Sequence, residues 1–348
     1  MSTRTLLVTG ATGFLGKALV PRLAEGGHRI RFIGRTEPTG DLRGLGEFVQ
    51  GDLGDRAAVR RALDGVEVLY HLAGRVSFDA KDGPAMYRLH VEGTRGLLEE
   101  ARARGGLKRI ILASTSGTTA VSRTEAVATE EARTPIEVVG RWPYYLSKIY
   151  EERLSLEFCR KHGLPLVVLN PSLLLGPGDD RLSSTWTVMK FLQRDIPAMP
   201  RGGISFVDVR DAAEVFLAAL DRGEVQGKHL FGVNMTMAEF FQRLERISGV
   251  PAPLIRLPPK LNLLGAHLLE RWADLRGNEV GLEPASVDIA DHWFWLDARK
   301  AERELGFVPR DPQETLQDTV LDLIRRMPES AWPGTKGRLA ELLRETRR

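Results

Sequence analysis

Tyr144 and Lys148 stand four residues apart at the start of the helical pattern Tyr144–His162, a spacing that puts both on one helix face. An ammonium beside a phenol stabilises the phenolate and lowers the phenol's pKa towards neutrality, so the pair could exchange a proton with a substrate. Tyr145, three residues before Lys148, competes for the role. A run of hydroxyls, Ser114-Thr115-Ser116-Gly117-Thr118-Thr119, closes the apolar segment Ile110–Ala113. Ligands of open α/β sheets sit at such strand ends, so one of these hydroxyls could orient a carbonyl. Neither pattern decides alone. Surface helices often carry Tyr-x-x-x-Lys, and loop hydroxyls commonly serve turns and caps.

A third pattern lies at the N-terminus. Gly10-Ala11-Thr12-Gly13-Phe14-Leu15-Gly16 follows an apolar strand and opens an amphipathic helix, with glycines spaced Gly-x-x-Gly-x-x-Gly. Gly10 allows the sharp turn, Gly13 lets backbone amides approach a pyrophosphate, and Gly16 allows close helix–strand packing. The helix N-terminus adds free N–H groups and partial positive charge. The turn therefore predicts a bound nicotinamide dinucleotide. At the end of the second strand stands Gly34-Arg35-Thr36, with no acid to accept a ribose 2′-hydroxyl. Arg35 can pair with a 2′-phosphate instead, which predicts NADP(H) over NAD(H), with NAD(H) left open.

These residues need strands to end beside one another. Apolar runs at Leu6–Thr9, Ile30–Ile33, Phe48–Gln50, Val68–His71, Ile110–Ala113 and Leu166–Leu169 read as strands. Helical patterns at Phe14–Gly26, Arg56–Leu63, Ala85–Arg104 and Tyr144–His162 alternate with them. That alternation predicts an α/β protein, a Rossmann-type doubly wound parallel sheet buried on both faces. After Asn170-Pro171, Pro/Gly-rich loops separate helices at Val209–Asp221, Met237–Ser248, Lys260–Ala273, Lys300–Leu305 and Thr315–Arg326. We read residues 1–170 as the dinucleotide-binding core, with 204–233 returning to its sheet through Ile204–Val207 and His229–Val233. Residues 171–203 and 234–330 form a smaller, interleaved substrate lobe, and 331–348 a basic helical tail. In that lobe Leu261, Leu264, Leu268 and Trp272 share one helical stripe, and Trp293, Phe294 and Trp295 cluster. Such a stripe is either core or the wall of an apolar substrate pocket.

Composition narrows the class. Apolar residues make up 43% and charged residues 27% of 348, an ordinary globular balance. The net charge of +3 gives no reason to expect nucleic acid, and Arg338, Arg344, Arg347 and Arg348 read as a solvated tail. The single cysteine, Cys159, rules out an intrachain disulfide or a cysteine-based metal cluster and reads as a small core residue. No metal site is expected. Neither a signal-peptide pattern nor an apolar run of about 20 residues is present, so no integral membrane segment and a cytoplasmic location are expected.

Taken in order, the motifs resemble the extended branch of the short-chain dehydrogenase/reductase superfamily. They are the glycine turn, Gly51-Asp52-Leu53, His71-Leu72-Ala73-Gly74, Ser114-Thr115-Ser116, Tyr144-x-x-x-Lys148, Asn170-Pro171-Ser172 and Phe206-Val207-Asp208-Val209-Arg210-Asp211. The branch holds dihydroflavonol reductases, 3β-hydroxysteroid dehydrogenases and nucleotide-sugar epimerases, and the first two groups are nearest in pattern. The resemblance implies that Asp52 and Leu53 meet the adenine, that Leu72, Ala73 and Gly74 line the cofactor cleft, and that Pro171 and Ser172 face the nicotinamide. It also implies that Gly10, Thr12, Gly13, Phe14, Leu15 and Gly16 hold the pyrophosphate side. Thr115 would then orient the carbonyl, with Ser114 and Ser116 as substitutes. Tyr144 would give the proton, and Lys148 would tune it while holding the nicotinamide ribose. His71 would be a packing residue. The family usually carries Asn where His90 stands, so no relay role carries over to that position.

Sugar-nucleotide dehydratases carry an Asp-Glu pair after the hydroxyl, where this chain has Ser116-Gly117, and the Val-Tyr-Gly segment of many epimerases is also missing. The expected reaction is ketone reduction to a secondary alcohol, or its reverse, on a bulky apolar small molecule. The alternatives are an NAD-dependent nucleotide-sugar epimerase and a non-catalytic NADPH-binding sensor or scaffold. A homodimer is common in the branch.

Overall fold

Strand residues with almost no polar side chains can be buried on both faces, and here they pair into one twisted parallel sheet. The computed structural model describes residues 3–258, 261, 263–265, 284–328, 331–332 and 337–346. Its strands are β1 (Thr5–Thr9), β2 (Arg29–Gly34), β3 (Glu47–Gln50), β4 (Val68–His71), β5 (Arg109–Ala113), β6 (Leu166–Pro171), β7 (Leu173–Leu175), β8 (Gly203–Asp208), β9 (Lys228–Phe231) and β10 (Val233–Thr236). Seven of them form a parallel sheet in the order β3-β2-β1-β4-β5-β6-β9. The order reverses between β1 and β4, which opens a crevice beyond their C-terminal ends.

Helices cover both faces. They are α1 (Phe14–Glu25), α2 (Arg56–Leu63), α3 (Gly83–Tyr87), α4 (Thr94–Arg104), α5 (Ile136–Val139), α6 (Pro143–His162), α7 (Trp186–Leu192), α8 (Val209–Ala218), α9 (Met237–Ser248), α10 (Pro284–Ala290), α11 (Arg299–Leu305), α12 (Pro312–Arg326) and α13 (Arg338–Thr346). One face packs Leu19 and Leu23 of α1 and Phe216 of α8 against Leu6, Val8 and Tyr70. The other packs Val59 of α2, Leu97 of α4 and Cys159 of α6 against Leu7, Leu69 and Leu112. Cys159 is fully buried, and burial pushes its thiol up to about 12.

The helical pattern Ala85–Arg104 is one continuous path with a wide turn in its middle. A π-helical segment, Arg88–Gly93, joins α3 to α4.

The second lobe is built on a three-stranded sheet in the order β10-β8-β7, with its own core of Phe191, Phe240, Phe241, Leu316 and Leu323. This corrects the expectation for 204–233. Within that segment α8 and β9 join the large sheet's layers, but β8 does not enter the sheet. It pairs parallel to β7 and antiparallel to β10. A short, largely apolar run specifies a strand and leaves its partner open. In the stripe at Lys260–Ala273, Leu261 and Leu264 are exposed, and Leu268 and Trp272 lie outside the described residues. Among the described residues no helix is long and apolar enough to cross a membrane.

Candidate active site

The crevice at the β1/β4 reversal is shaped by glycine. Gly10 has φ +73°, and a Cβ there would lie 2.6 Å from the Ala73 amide nitrogen and the Leu72 carbonyl carbon. The turn after β1 thus lies directly against the loop after β4. A Cβ on Gly16 would run into the Ala11 carbonyl oxygen, so helix α1 can start this close to the turn only with glycine there. Gly13 caps α1 without a side-chain hydrogen bond, leaving the helix's first amides to an anion. The result is a cradle of uncapped amides open to an anion.

A single cavity of about 2470 Å³ runs along the strand ends. Drug-sized ligand pockets are typically about 300–1,000 Å³, so this one has room for a dinucleotide and a second molecule. Every residue singled out for cofactor or chemistry lines it, in strand order. Arg35 follows β2, Asp52 and Leu53 follow β3, and Leu72, Ala73 and Gly74 follow β4. Thr115 follows β5, Pro171 and Ser172 stand at the end of β6, and Tyr144 and Lys148 come from α6. Arg35 is exposed, and among the described residues no carboxylate pairs with it at salt-bridge distance. Beyond Tyr144 the walls turn aromatic. Tyr145 meets Phe78 at 6.1 Å and Phe294 at 5.9 Å between ring centroids, with Trp142 at 5.8 Å behind it.

The geometry separates the two tyrosines. Burial pushes the Tyr144 hydroxyl above its ordinary range, while Lys148 and a hydrogen bond with Thr115 pull it down. The expected net lowering is therefore not present in the free chain, because burial outweighs the ammonium and Glu151 opposes it. Tyr145 is also pushed up by burial, without a cation to offset it, and its ring lies where a Cβ on Gly117 would have to go. It is wall.

Among the hydroxyls, Ser114 is committed elsewhere. It donates at 2.6 Å to Glu152, which also accepts from Thr118 at 2.9 Å and Asn170 at 2.7 Å and pairs with Lys228 at 2.9 Å. Ser114 therefore cannot substitute for Thr115. Ser116 is buried at the start of the short 3-10 turn Ser116–Thr118. Thr115 is part-exposed, and its hydroxyl accepts from the Gly117 amide at 3.3 Å.

Two buried acids escaped the sequence reading. Glu151, wholly buried, forms an ion pair with Lys148, whose Nζ also donates to the Ala113 carbonyl at 2.8 Å. Glu152 organises the hydroxyl loop. The available signal was two acids three and four residues beyond Lys148 on one helix.

His90 and His71 are both buried and neutral. Burial holds them down to about 2 and about 3 respectively, Lys148 adding to each. The Arg75 amide donates to His90 Nε2 at 3.0 Å, so Nδ1 carries the proton and donates to Ser147 Oγ at 2.8 Å. Ser147 in turn donates to the Tyr144 carbonyl at 2.8 Å. His90 thus ties the π-helical segment to the start of α6. His71 is more than packing, since both its nitrogens are bonded to threonines.

A Rossmann sheet with a glycine turn at its reversal, and with Thr115, Tyr144 and Lys148 at one cavity, has the fold of the extended short-chain dehydrogenases/reductases. The NAD dependent epimerase/dehydratase family model matches residues 6–231, and the chain belongs to that family. It is 34% identical to "Sterol demethylase protein B" of Methylococcus capsulatus, over 91% of this chain and 97% of the relative. It is 31% identical to a "Putative dihydroflavonol 4-reductase" of Synechocystis sp., over 91% and 92%. The crystal structure of gox2253 superposes with a TM-score of 0.78 at 30% identity, covering 92% of this chain and 98% of that one.

Proposed function

We propose that this protein is an NADPH-dependent reductase that converts a bulky apolar ketone to a secondary alcohol, or runs the reverse. One observation carries the reading: Thr115, Tyr144 and Lys148 meet where the dinucleotide cradle passes into an aromatic-walled end of the same cavity. The residues present fit the cofactor, since the cradle is closed to any Cβ at Gly10 and Gly16 and Arg35 is free for a 2′-phosphate. When bound, the nicotinamide would supply hydride to the carbonyl carbon. Thr115 donates a hydrogen bond to the carbonyl oxygen, and Tyr144 passes its proton to that oxygen as the alcohol forms. Lys148 holds the nicotinamide ribose and favours the phenolate left behind. Phe78, Tyr145 and Phe294 exclude water and seat the apolar body of the substrate. The relative named "Putative dihydroflavonol 4-reductase" supports a polycyclic ketone as the first class to try.

The test is NADPH consumption on dihydroflavonols, steroid ketones and aryl ketones, with UDP-sugars as the contrasting class. Turnover on ketones that falls about 10²–10⁴-fold in Tyr144→Phe, with NADPH binding kept, is expected. Co-purified NAD⁺ with no net NADPH consumption would instead make the protein an epimerase. A charge-assisted contact of about 1.5–3 kcal/mol corresponds to roughly ten- to a hundredfold in affinity, so Arg35→Ala should lose that much for NADPH and little for NADH.

A further inference from the structure

Lys148 is held from inside the protein by a directional chain of hydrogen bonds that begins at the cofactor loop. The Ala73 amide donates to Thr9 Oγ1 at 3.2 Å. Thr9 Oγ1 lies 2.7 Å from His71 Nδ1, and His71 Nε2 lies 2.7 Å from Thr94 Oγ1. Thr94 donates to Glu151 at 3.0 Å, and the other Glu151 oxygen pairs with Lys148. Burial pushes the Glu151 carboxyl above its ordinary range, while Lys148 and the Thr94 hydrogen bond pull it down; as the carboxylate it only accepts, so Thr94 gives it its one proton and accepts from His71 Nε2–H. A neutral His71 then accepts from Thr9 through Nδ1, and every link has one consistent direction. The Ala113 carbonyl accepts from Lys148 Nζ at 2.8 Å and Glu151 pairs with the same ammonium, so it is held from two sides.

We propose that Glu151 is a positioning residue for Lys148, supplying the counter-charge that keeps its ammonium in place, with Thr94 and His71 locking the carboxylate. This rests on the role given to Lys148 above and extends it. The charged and titratable groups facing Glu151 are Lys148, Tyr144 and Glu152 of α6 and His71 of β4, with the Thr94 hydroxyl of α4 donating to it. His90 of the π-helical segment stands behind Lys148. Glu152 is occupied by Lys228 and the hydroxyl loop, so Glu151 is the acid that answers Lys148. Its charge also acts on Tyr144, against ionisation.

Removing that charge has two effects of one sign. The ammonium loses its counter-charge and gives up its proton more readily, and Tyr144 ionises at lower pH. Both deplete the form that reduces a ketone, so the alkaline limb of the reduction profile moves to lower pH. The substrate-free readout is NMR of the protein carrying lysine labelled at Cε, with the Lys148 signal assigned by its loss in Lys148→Met. In Glu151→Gln the titration midpoint of that signal should fall by about one pH unit or more. If Glu151→Gln does not fold, Thr94→Val keeps the carboxylate but removes its donor and should give a smaller fall. An unchanged midpoint in whichever variant folds marks the pair as structural only and overturns the proposal. A shifted midpoint with no ketone turned over leaves Glu151 in its role and removes the reductase reading, so the two failures are distinguishable.

Discussion

Thr115 and Ser114 are adjacent hydroxyls at one strand end, and only their partners tell them apart. Ser114 donates into Glu152, which keeps Thr118, Asn170 and Lys228 if that hydroxyl is lost. Ser114→Ala should therefore cost about 1 kcal/mol in a urea titration and leave turnover near wild type. Thr115→Val removes a donor aimed at the developing oxyanion and should lower kcat about 10²–10³-fold with stability kept. Equal losses in the two variants would refute the distinction. The histidines make a pH prediction. His71 and His90 are held far below the ordinary imidazole range of about 6.5, so the unfolded chain binds protons that the folded one refuses. Stability contributed this way is complete above pH 6.5 and is lost as pH falls towards 3. By pH 5 each costs up to about 2 kcal/mol, and a soluble His90→Asn variant should show a shallower loss of urea midpoint between pH 7 and pH 5. That Thr115, Tyr144 and Lys148 line one cavity was legible because a strand end and a four-residue helical spacing fix where such residues stand. Glu151 and Glu152 were not, because acids on a helix read as a solvated face. Apart from Lys148, which pairs with Glu151, their partners lie on other elements: Thr94 for Glu151, and Ser114, Thr118, Asn170 and Lys228 for Glu152.

At the scale of elements, the strands of the large sheet were legible because a sheet covered on both faces needs unbroken apolar runs. Leu173–Leu175 was not, since three residues give no period, and the partner of β8 was hidden because a short, largely apolar run reads the same whichever strand it meets. The wide turn at Arg88–Gly93 was hidden too: its residues keep an ordinary helical pattern while the backbone opens to seat His90 against Ser147. The glycine turn was fully legible, and its geometry is strict. Gly16→Ala would drive a methyl into the Ala11 carbonyl, backbone that cannot swing aside as a side chain would. The start of α1 must then shift, which moves the free amides off the pyrophosphate. We expect NADPH affinity measured by fluorescence titration to fall at least tenfold while far-ultraviolet circular dichroism keeps the α/β signature. Unchanged affinity would mean that the cofactor does not sit on this helix end.

For the whole molecule, the path of the chain decides how the two lobes share stability. After β6 it leaves the large sheet for β7 and α7, crosses the small sheet at β8, and comes back through α8 and β9. It departs again at β10 and α9, and α11 returns to the large sheet's core before α12 closes the small lobe. Charged groups fasten those crossings. Arg210 at the start of α8 donates to Asp208, whose side chain has no exposure, and to Asp318 of α12, both at 2.7 Å. Arg310 pairs with Asp211 at 2.7 Å and approaches Asp208 at 3.5 Å. Arg210 also acts on Asp208 chemically. Its hydrogen bonds hold the Asp208 carboxyl below the usual carboxylate range even though burial pushes the other way. Arg210→Met would strand most of that buried charge, a loss of about 3–5 kcal/mol when a buried pair is broken by removing one partner. If the lobes were independent, the cost would fall on the small lobe alone and calorimetry would resolve two transitions. The interleaved path predicts otherwise: one transition before and after the substitution, moved to lower temperature as a whole, with the cradle and the aromatic end of the cavity lost together.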